Sequence, residues 1–210
     1  SDRSQLSKMA LASREAMGTP DLQALADRGY YNGVELKVCK DEGVAAYVPK
    51  PMTSNAKAAG RYDKTDFIYI ARDDEYQCPS GQRAIHRFTT DERGLQIHVY
   101  WPSACPGCSL KDRCTTSKYR RIRRWEHEGV MDAVQQRLDR EPDAMKVRRR
   151  TIEHVFGTLK HWMGSTHFLT RGIQNVATEM SLHVLAYNLK RVLSILGFEQ
   201  TKKAMHLLGA

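Results

Sequence analysis

Residues 146–163 carry a row of charged side chains beside a row of apolar ones, both at helical spacing. The charged row consists of Lys146, Arg149, Glu153 and Lys160, and the apolar row of Ile152, Val155, Phe156, Leu159 and Met163. At ~100° per residue the four charged side chains fall within roughly 60° of one another. Such a helix docks its apolar row on a core, which leaves the carboxylate to bind a divalent metal and the cations to bind phosphates. A solvated helix face with intrahelical ion pairs, such as Arg149 to Glu153, has the same pattern.

The chain has an excess of positive charge, with 33 Lys and Arg against 24 Asp and Glu and a formal charge of +9. The cations are clustered in residues 111–124, where Asp112 is the lone acid, and again in residues 148–150. Clusters of this kind neutralise phosphates, so nucleic acid is the expected partner. A soluble basic protein without such a partner has the same composition.

Neither a secretory signal nor a membrane span is visible in the sequence. No apolar run approaches the ~20 residues needed to cross a bilayer. We therefore expect a soluble, cytoplasmic protein with no membrane partner. Five cysteines, an odd number, favour reduced thiols or metal ligands over a disulfide framework.

Residues 1–52 alternate between helical and strand patterns. The sequence predicts a helix over 5–17, a strand over 22–26, a helix over 33–42 and a strand over 44–48. This order is typical of a parallel α/β sheet. The first strand is expected to be buried and to deliver the carboxylate of Asp27 at its tip, while Asn32 is expected to cap the following helix.

Residues 53–128 have a different character, because apolar and polar residues alternate over 66–71, 83–89 and 95–101. This pattern predicts an inserted antiparallel β segment. It contains four cysteines in the spacing C-x26-C-x2-C-x5-C, namely Cys78, Cys105, Cys108 and Cys114. The Cys-Pro-Gly-Cys turn points two sulfurs at one centre, and four thiolates would satisfy a tetrahedral Zn²⁺ site. Packed reduced thiols are the alternative, and Cys39 is predicted to be core.

Residues 129–210 have helical patterns throughout. Helices are predicted over 131–138, 144–162 and 176–196. The apolar face of the last helix is predicted to form core or partner contacts, and its members are Met180, Val184, Leu185, Leu189, Val192 and Leu196.

Together these motifs resemble the bacterial insertion-sequence transposases of the DDE class. The resemblance rests on residues 26–33 (Ala-Asp-Arg-Gly-Tyr-Tyr-Asn-Gly), the Lys146-x2-Arg149-x3-Glu153-x6-Lys160 helix, residues 168–172 and residues 186–191. The similar subgroup has an RNase H-like core, a β insertion with a Cys-x2-Cys-x5-Cys cluster, and a Tyr-x2-Arg-x3-Glu-x6-Lys signature. The resemblance spans nearly the whole chain. It implies an α/β fold with a partial RNase H-like core in 1–52 and 129–210 and a cysteine-containing antiparallel insertion in 53–128.

The resemblance also implies roles for individual residues. Asp27 corresponds to the second catalytic acid and Glu153 to the third, which with a first Asp bind two Mg²⁺ (or Mn²⁺) ions for attack on a phosphodiester. The implied partner is double-stranded DNA, as transposon ends and target, bound by a homo-oligomer. The expected DNA-binding residues are Lys146, Arg149, Lys160, Arg120, Arg121, Arg123 and Arg124.

Two departures from the family pattern define the competing functions. The signature's Tyr is replaced by Lys146, and no strand with a first Asp precedes the first helix, because Asp2 stands directly before it. The expectation is therefore a truncated transposase, lacking the first catalytic Asp and inactive alone. The alternatives are a non-catalytic nucleic-acid-binding module with a zinc-ribbon-like insertion, and a decayed reading frame without function.

Overall fold

The first part of the chain forms helices around two short parallel strands, as its sequence pattern predicts. In the computed structural model, which describes residues 2–52 and 55–208, these elements are α1 (Leu6–Met17), β1 (Gln23–Leu25), α2 (Gly33–Asp41) and β2 (Ala45–Tyr47). Strands β1 and β2 pair in parallel, with Gln23 opposite Ala45. The predicted cap is confirmed, because the Asn32 side chain accepts the N–H of Val34 at 3.0 Å.

A small apolar core lies between these elements and helix α3 (Glu128–Arg140). Its buried members are Leu6, Ala10, Leu36, Cys39, Val44, Ala46, Val48, Val130 and Val134. The predicted core position of Cys39 is confirmed, since its side chain is 1% exposed. Strand β1 was predicted to be buried, but it is only half-buried.

Five further strands form an antiparallel curled sheet in the order β3-β4-β5-β6-β7. They are β3 (Ile68–Ile70), β4 (Glu75–Gln77), β5 (Arg83–Glu92), β6 (Leu95–Trp101) and β7 (Ile122–Trp125). The alternating pattern predicted all of β3 and β6 and most of β5, whereas β4 and β7 were missed. One face of the sheet is covered by a second core, which consists of Phe67, Tyr76, Ala84, Tyr100 and Ile122. The predicted start of this segment at Thr53 lies outside the described residues.

The chain divides into two compact units, Ser1–Ala144 and Met145–Ala210. The predicted helix over 144–162 contains two π-helical stretches and is here called the charged helix. Its parts are α4 (Ala144–Arg148), a π-helix (Arg149–Glu153), α5 (His154–Gly157) and a second π-helix (Thr158–Trp162). Helices α6 (Ile173–Leu196) and α7 (Phe198–Leu208) follow, the latter not predicted.

The predicted apolar face of α6 is largely exposed. Val184, Leu185, Leu189, Val192 and Leu196 all have exposed side chains. The core alternative is therefore wrong for these five residues, because a core residue is shielded from water. Contact with a partner stays a prediction for this face.

The fold is a mixed α/β arrangement with helices and an antiparallel curled sheet. No helix within residues 2–52 and 55–208 is long and apolar enough to cross a membrane. The RNase H-like character of the parallel strands, the insertion of the sheet and the boundaries 1–52, 53–128 and 129–210 stay predictions.

Candidate functional site

Asp27 lies just beyond the carboxyl end of β1, where the sequence pattern predicted a carboxylate. Its extended backbone ends the strand, and its side chain accepts the N–H of Gly29 at 2.8 Å. This contact caps the short 3-10 turn Arg28–Tyr30. A side chain at residue 29 would bring its Cβ to 3.0 Å from the Asp27 carboxylate. The turn therefore fixes an exposed carboxylate at a strand end, which is a position from which it can reach a ligand.

Glu153 ends the first π-helical stretch of the charged helix and is exposed. Its carboxylate lies 3.6 Å from Arg148 Nη1 and 3.9 Å from Arg149 Nε. The Arg149 contact is the intrahelical ion pair that the solvated-face interpretation predicts. Single π turns occur often at functional sites, because they change which residues share a helix face. The geometry thus places cations beside this carboxylate and is compatible with both interpretations of the pattern.

The remaining charged residues of this helix, Lys146 and Lys160, are also exposed. In the neighbouring apolar row Leu159 is buried, whereas Ile152 and Phe156 are exposed. The helix is therefore docked through only part of its predicted apolar row.

Asp27 belongs to the first unit and Glu153 to the second. Over residues 2–52 and 55–208, no group of three or more His, Cys, Asp or Glu side chains is arranged to hold a metal ion. The assignment of both acids as Mg²⁺ ligands accordingly stays a prediction.

The arginines of residues 120–124 point to different sides, because part of this run forms strand β7. Arg121 and Arg123 are exposed, whereas Ile122 is buried and Arg124 is half-buried. Successive side chains of a strand point to opposite faces, so neighbouring arginines have different surroundings. Arg123 pairs with Glu92 across the sheet, and both side chains remain about half exposed to solvent.

Arg124 is held inside the sheet by several contacts. Its guanidinium lies 3.7 Å from the centre of the Tyr69 ring, donates to the Tyr76 hydroxyl at 3.3 Å and contacts Asp132 at 3.1 Å. Burial by itself lowers the pKa of Arg124, but the hydrogen bond and charge of Tyr76, followed by Asp132, raise it overall. The predicted contact of Arg124 with DNA would have to break these bonds.

A nearby ion pair joins the 3-10 turn before β3 to α3. Glu128 is buried, pairs with Lys64 and accepts the backbone N–H of Trp125 at 3.1 Å. Burial lowers the pKa of Lys64, and the charge and hydrogen bond of Glu128 act in the opposite direction. Removal of either partner would leave a desolvated charge.

Aromatic and cationic side chains meet on the opposite face of the sheet, which we call the basic–aromatic face. The Trp101 ring has the guanidinium groups of Arg87 and Arg121 at 5.3 and 5.7 Å from its centre. Tyr119 and Phe88 lie 5.8 and 5.9 Å away, centre to centre. Guanidinium groups bind phosphates and aromatic rings stack on bases, so this face has the chemistry of a nucleic-acid contact.

All four cysteines of the sheet segment line one small cavity, here called the cysteine cavity. Cys78, Cys105, Cys108 and Cys114 share it with Arg120, and its volume is about 20 Å³. Such a volume suits one water-sized occupant. Burial raises the pKa of the Cys114 thiol, the charge of Arg120 lowers it, and the other three cysteines raise it. Cysteines up to 36 residues apart (Cys78 to Cys114) thus line one cavity. Within residues 2–52 and 55–208 their thiols are not arranged as metal ligands, so the predicted Zn²⁺ site stays a prediction.

Arg120 is half-buried and lines the cysteine cavity. Its guanidinium lies 5.5 Å from the centre of the Phe67 ring, and its buried Nε has no hydrogen-bond partner among the described residues. The predicted role of Arg120 in DNA binding is untested, but its surroundings are those of the cysteine cavity.

Glu179 on α6 organises the loop that contains the Phe-Leu-Thr-Arg-Gly motif. Its carboxylate accepts the backbone N–H groups of Leu169 and Thr170 at 2.9 and 3.0 Å, and the Thr170 hydroxyl at 2.7 Å. These bonds lower the pKa of Glu179 to about 2, with the Leu169 bond contributing most. Glu179 was not predicted as a site residue, although it is the one acid in α6 and lies close to the motif in sequence.

Comparison with known proteins identifies the family to which these features belong. Residues 77–193 match the family model described as Transposase DDE domain, which is more than half of the chain. The chain therefore belongs to this family of DNA-cleaving transposases, and the predicted family membership is confirmed. Its members bind DNA and use divalent metal ions. No curated protein and no solved structure matches the chain.

Proposed function

We propose that this chain acts in DNA transposition inside a bacterial cell, with Asp27 and Glu153 as metal-binding acids. The observation that carries the proposal is the matched segment 77–193, which contains Glu153 with Arg149 and Lys160 on the same helix. The expected reaction is cleavage and joining of DNA phosphodiesters by a two-metal mechanism. The expected assembly is a homo-oligomer on transposon ends and target.

The chain's own acids and cations would have separate tasks. Both carboxylates offer the oxygen ligands that Mg²⁺ or Mn²⁺ prefers, and both are exposed to an incoming ion. When bound, the ions would activate the attacking hydroxyl and stabilise the charge on the phosphate. Arg149, Lys160 and Lys146 would hold the DNA backbone beside Glu153, with Arg121 and Arg123 as further phosphate contacts.

Metal titration tests the assignment of the two acids. Isothermal titration of Mn²⁺ into the wild-type chain is compared with Asp27→Asn and Glu153→Gln, with Asp21→Asn and Glu199→Gln as exposed-acid controls. Loss of Mn²⁺ binding in the first two variants, with binding retained in the controls, supports the proposal. An Mn²⁺ isotherm that is absent, or equal in all five proteins, removes Asp27 and Glu153 from the catalytic role.

The second candidate function is a non-catalytic nucleic-acid-binding module. It is favoured by the basic–aromatic face, because that surface needs no metal-binding acid to contact DNA. DNA affinity measured in the same variants separates the two functions. A module would bind DNA without divalent ions and with the same affinity after Asp27→Asn and Glu153→Gln.

We also propose that the cysteine cavity binds a structural Zn²⁺ ion. Four thiols provide the complete ligand set of a tetrahedral site, and the cavity suits one small ion. Loading would require the thiols to turn toward the cavity and to lose their protons. Zinc content of the purified chain, measured by mass spectrometry, tests this site, and Cys108→Ser is expected to lower it.

A further inference from the structure

Two neighbouring arginines directly before β7 have different surroundings. Arg121 is exposed and lies against the Trp101 ring, whereas Arg120 lines the cysteine cavity. Over residues 2–52 and 55–208, the buried Nε of Arg120 has no hydrogen-bond partner. Native proteins rarely leave a buried donor unpaired, so this N–H points to an acceptor that the cavity receives.

Neutral thiols are poor acceptors for a guanidinium N–H. Sulfur in a thiol accepts hydrogen bonds weakly, whereas a thiolate carries a full negative charge. Four thiols that bind one Zn²⁺ release four protons to solvent, and the resulting centre has a net charge of 2+ plus 4−, that is 2−. An adjacent guanidinium would offset part of this charge and satisfy its own Nε–H at the same time.

We propose that Arg120 is the positioning residue of a zinc–tetrathiolate centre, to which it donates its Nε–H through a ligand sulfur. The inference rests on the zinc site proposed above and extends it to a residue outside the ligand set. It also replaces the predicted phosphate contact of Arg120 with an internal role. Since Arg120 directly precedes Arg121 and β7, the loaded centre would hold the edge of the basic–aromatic face in place.

The adjacent arginine provides a matched control. The full chain is compared as wild type, Arg120→Gln, Arg120→Lys and Arg121→Gln, each reconstituted with Co²⁺ and titrated with a competing chelator. Arg120→Gln is expected to weaken metal binding by about 10- to 100-fold, the range for groups that orient metal ligands. Arg120→Lys should recover part of this loss, and Arg121→Gln should bind Co²⁺ as the wild type does.

An NMR measurement on the wild type covers the case in which Arg120→Gln fails to fold. In the cadmium-substituted protein, a scalar coupling between cadmium and the Arg120 Nε proton is expected, because the proton is hydrogen-bonded to a ligand sulfur. Absence of this coupling in a metal-loaded sample, or equal Co²⁺ affinity in Arg120→Gln and Arg121→Gln, overturns the role of Arg120 alone. A wild-type chain that binds no metal overturns the zinc site as well. Neither measurement uses DNA, so both outcomes are separable from failure of the transposase function.

Discussion

The five-stranded sheet and the charged helix hold their ionic side chains in different ways. Beside the sheet, Lys64 in the turn before β3 pairs with Glu128 of α3 across 64 residues of sequence, and within the sheet Arg124 reaches Tyr76 across 48. In the helix, Glu153 pairs with Arg149 four residues away and with Arg148 five residues away. The residues of these two contacts are buried or half-buried, whereas Glu153 and Arg149 are exposed. Charge in the sheet thus maintains the fold, while charge in the helix remains accessible to a ligand.

The largest expected effect is on the Lys64–Glu128 pair beside the sheet. Glu128→Gln would remove the negative partner of Lys64, and we expect a loss of about 2–3 kcal/mol in the free energy of unfolding. The control is Glu126→Gln, an exposed acid two residues away, which should change stability by less than about 0.5 kcal/mol. Urea unfolding measures both. Equal effects of the two variants would show that the sheet pair is as weak as a surface pair, and the contrast with the helix would be lost.

A second substitution tests how tightly the sheet is joined to the first core. A Cβ at residue 33 would lie 2.9 Å from the Trp125 ring and 3.4 Å from Met131 Sδ. Gly33→Ala is therefore expected to cost about 1–3 kcal/mol, the usual range for overpacking.

Gly129→Ala is the matched control for this substitution. Gly129 lies in α3 and an added Cβ there meets no atom within 4 Å. Its replacement should stabilise the protein by up to about 1 kcal/mol, because alanine restricts the unfolded chain. Thermal unfolding that gives both variants the same sign would contradict close packing of Trp125 on Gly33.

The contrast between sheet and helix also explains what the sequence could predict. The capping role of Asn32 and the helices α1 and α2 depend on neighbours within a few residues, and these were predicted correctly. The Arg149–Glu153 ion pair is equally local, and it was expected as the alternative interpretation of the charged helix. Strand β7 was missed because its two arginines were interpreted as part of a basic cluster, although Ile122 and Trp125 flank them. A strand of four residues is too short for its apolar and polar alternation to be recognised, and β7 is defined by its antiparallel pairing with β6.

The basic run of residues 120–124 shows the same limit within a single predicted group. From the sequence, one common role in DNA binding was expected for Arg120, Arg121, Arg123 and Arg124. Strand alternation leaves Arg121 and Arg123 exposed but directs Arg124 to Tyr69 and Tyr76. These tyrosines are distant in sequence, so nothing local distinguishes the four arginines. The cysteines could be grouped across a similar distance because their residue type is rare and chemically specific.

The helix side of the comparison predicts a small effect on stability. Glu153→Gln should change the free energy of unfolding by less than about 0.5 kcal/mol, because an exposed pair at this spacing contributes about that much. Circular dichroism with heating, at low and high salt, measures the change. A loss comparable to that of Glu128→Gln would mean that Glu153 maintains the fold, and its assignment as a metal ligand would lose its physical basis.

The smallest and most local effect is expected at Glu179. Folding lowers the pKa of Glu179 to about 2 from an ordinary value of 4.5. The ionised carboxylate therefore stabilises the loop fully at pH values above 4.5. That contribution is lost as the pH falls from there through the folded pKa. Glu179→Gln should therefore raise amide exchange at Leu169 and Thr170 at neutral pH, while Glu199→Gln, in α7, leaves it unchanged. In the wild type the same two amides should lose protection on acidification. If the amides of Leu169 and Thr170 stay protected from exchange in Glu179→Gln, the loop is held by packing. The charge of Glu179 would then have no structural role in this loop.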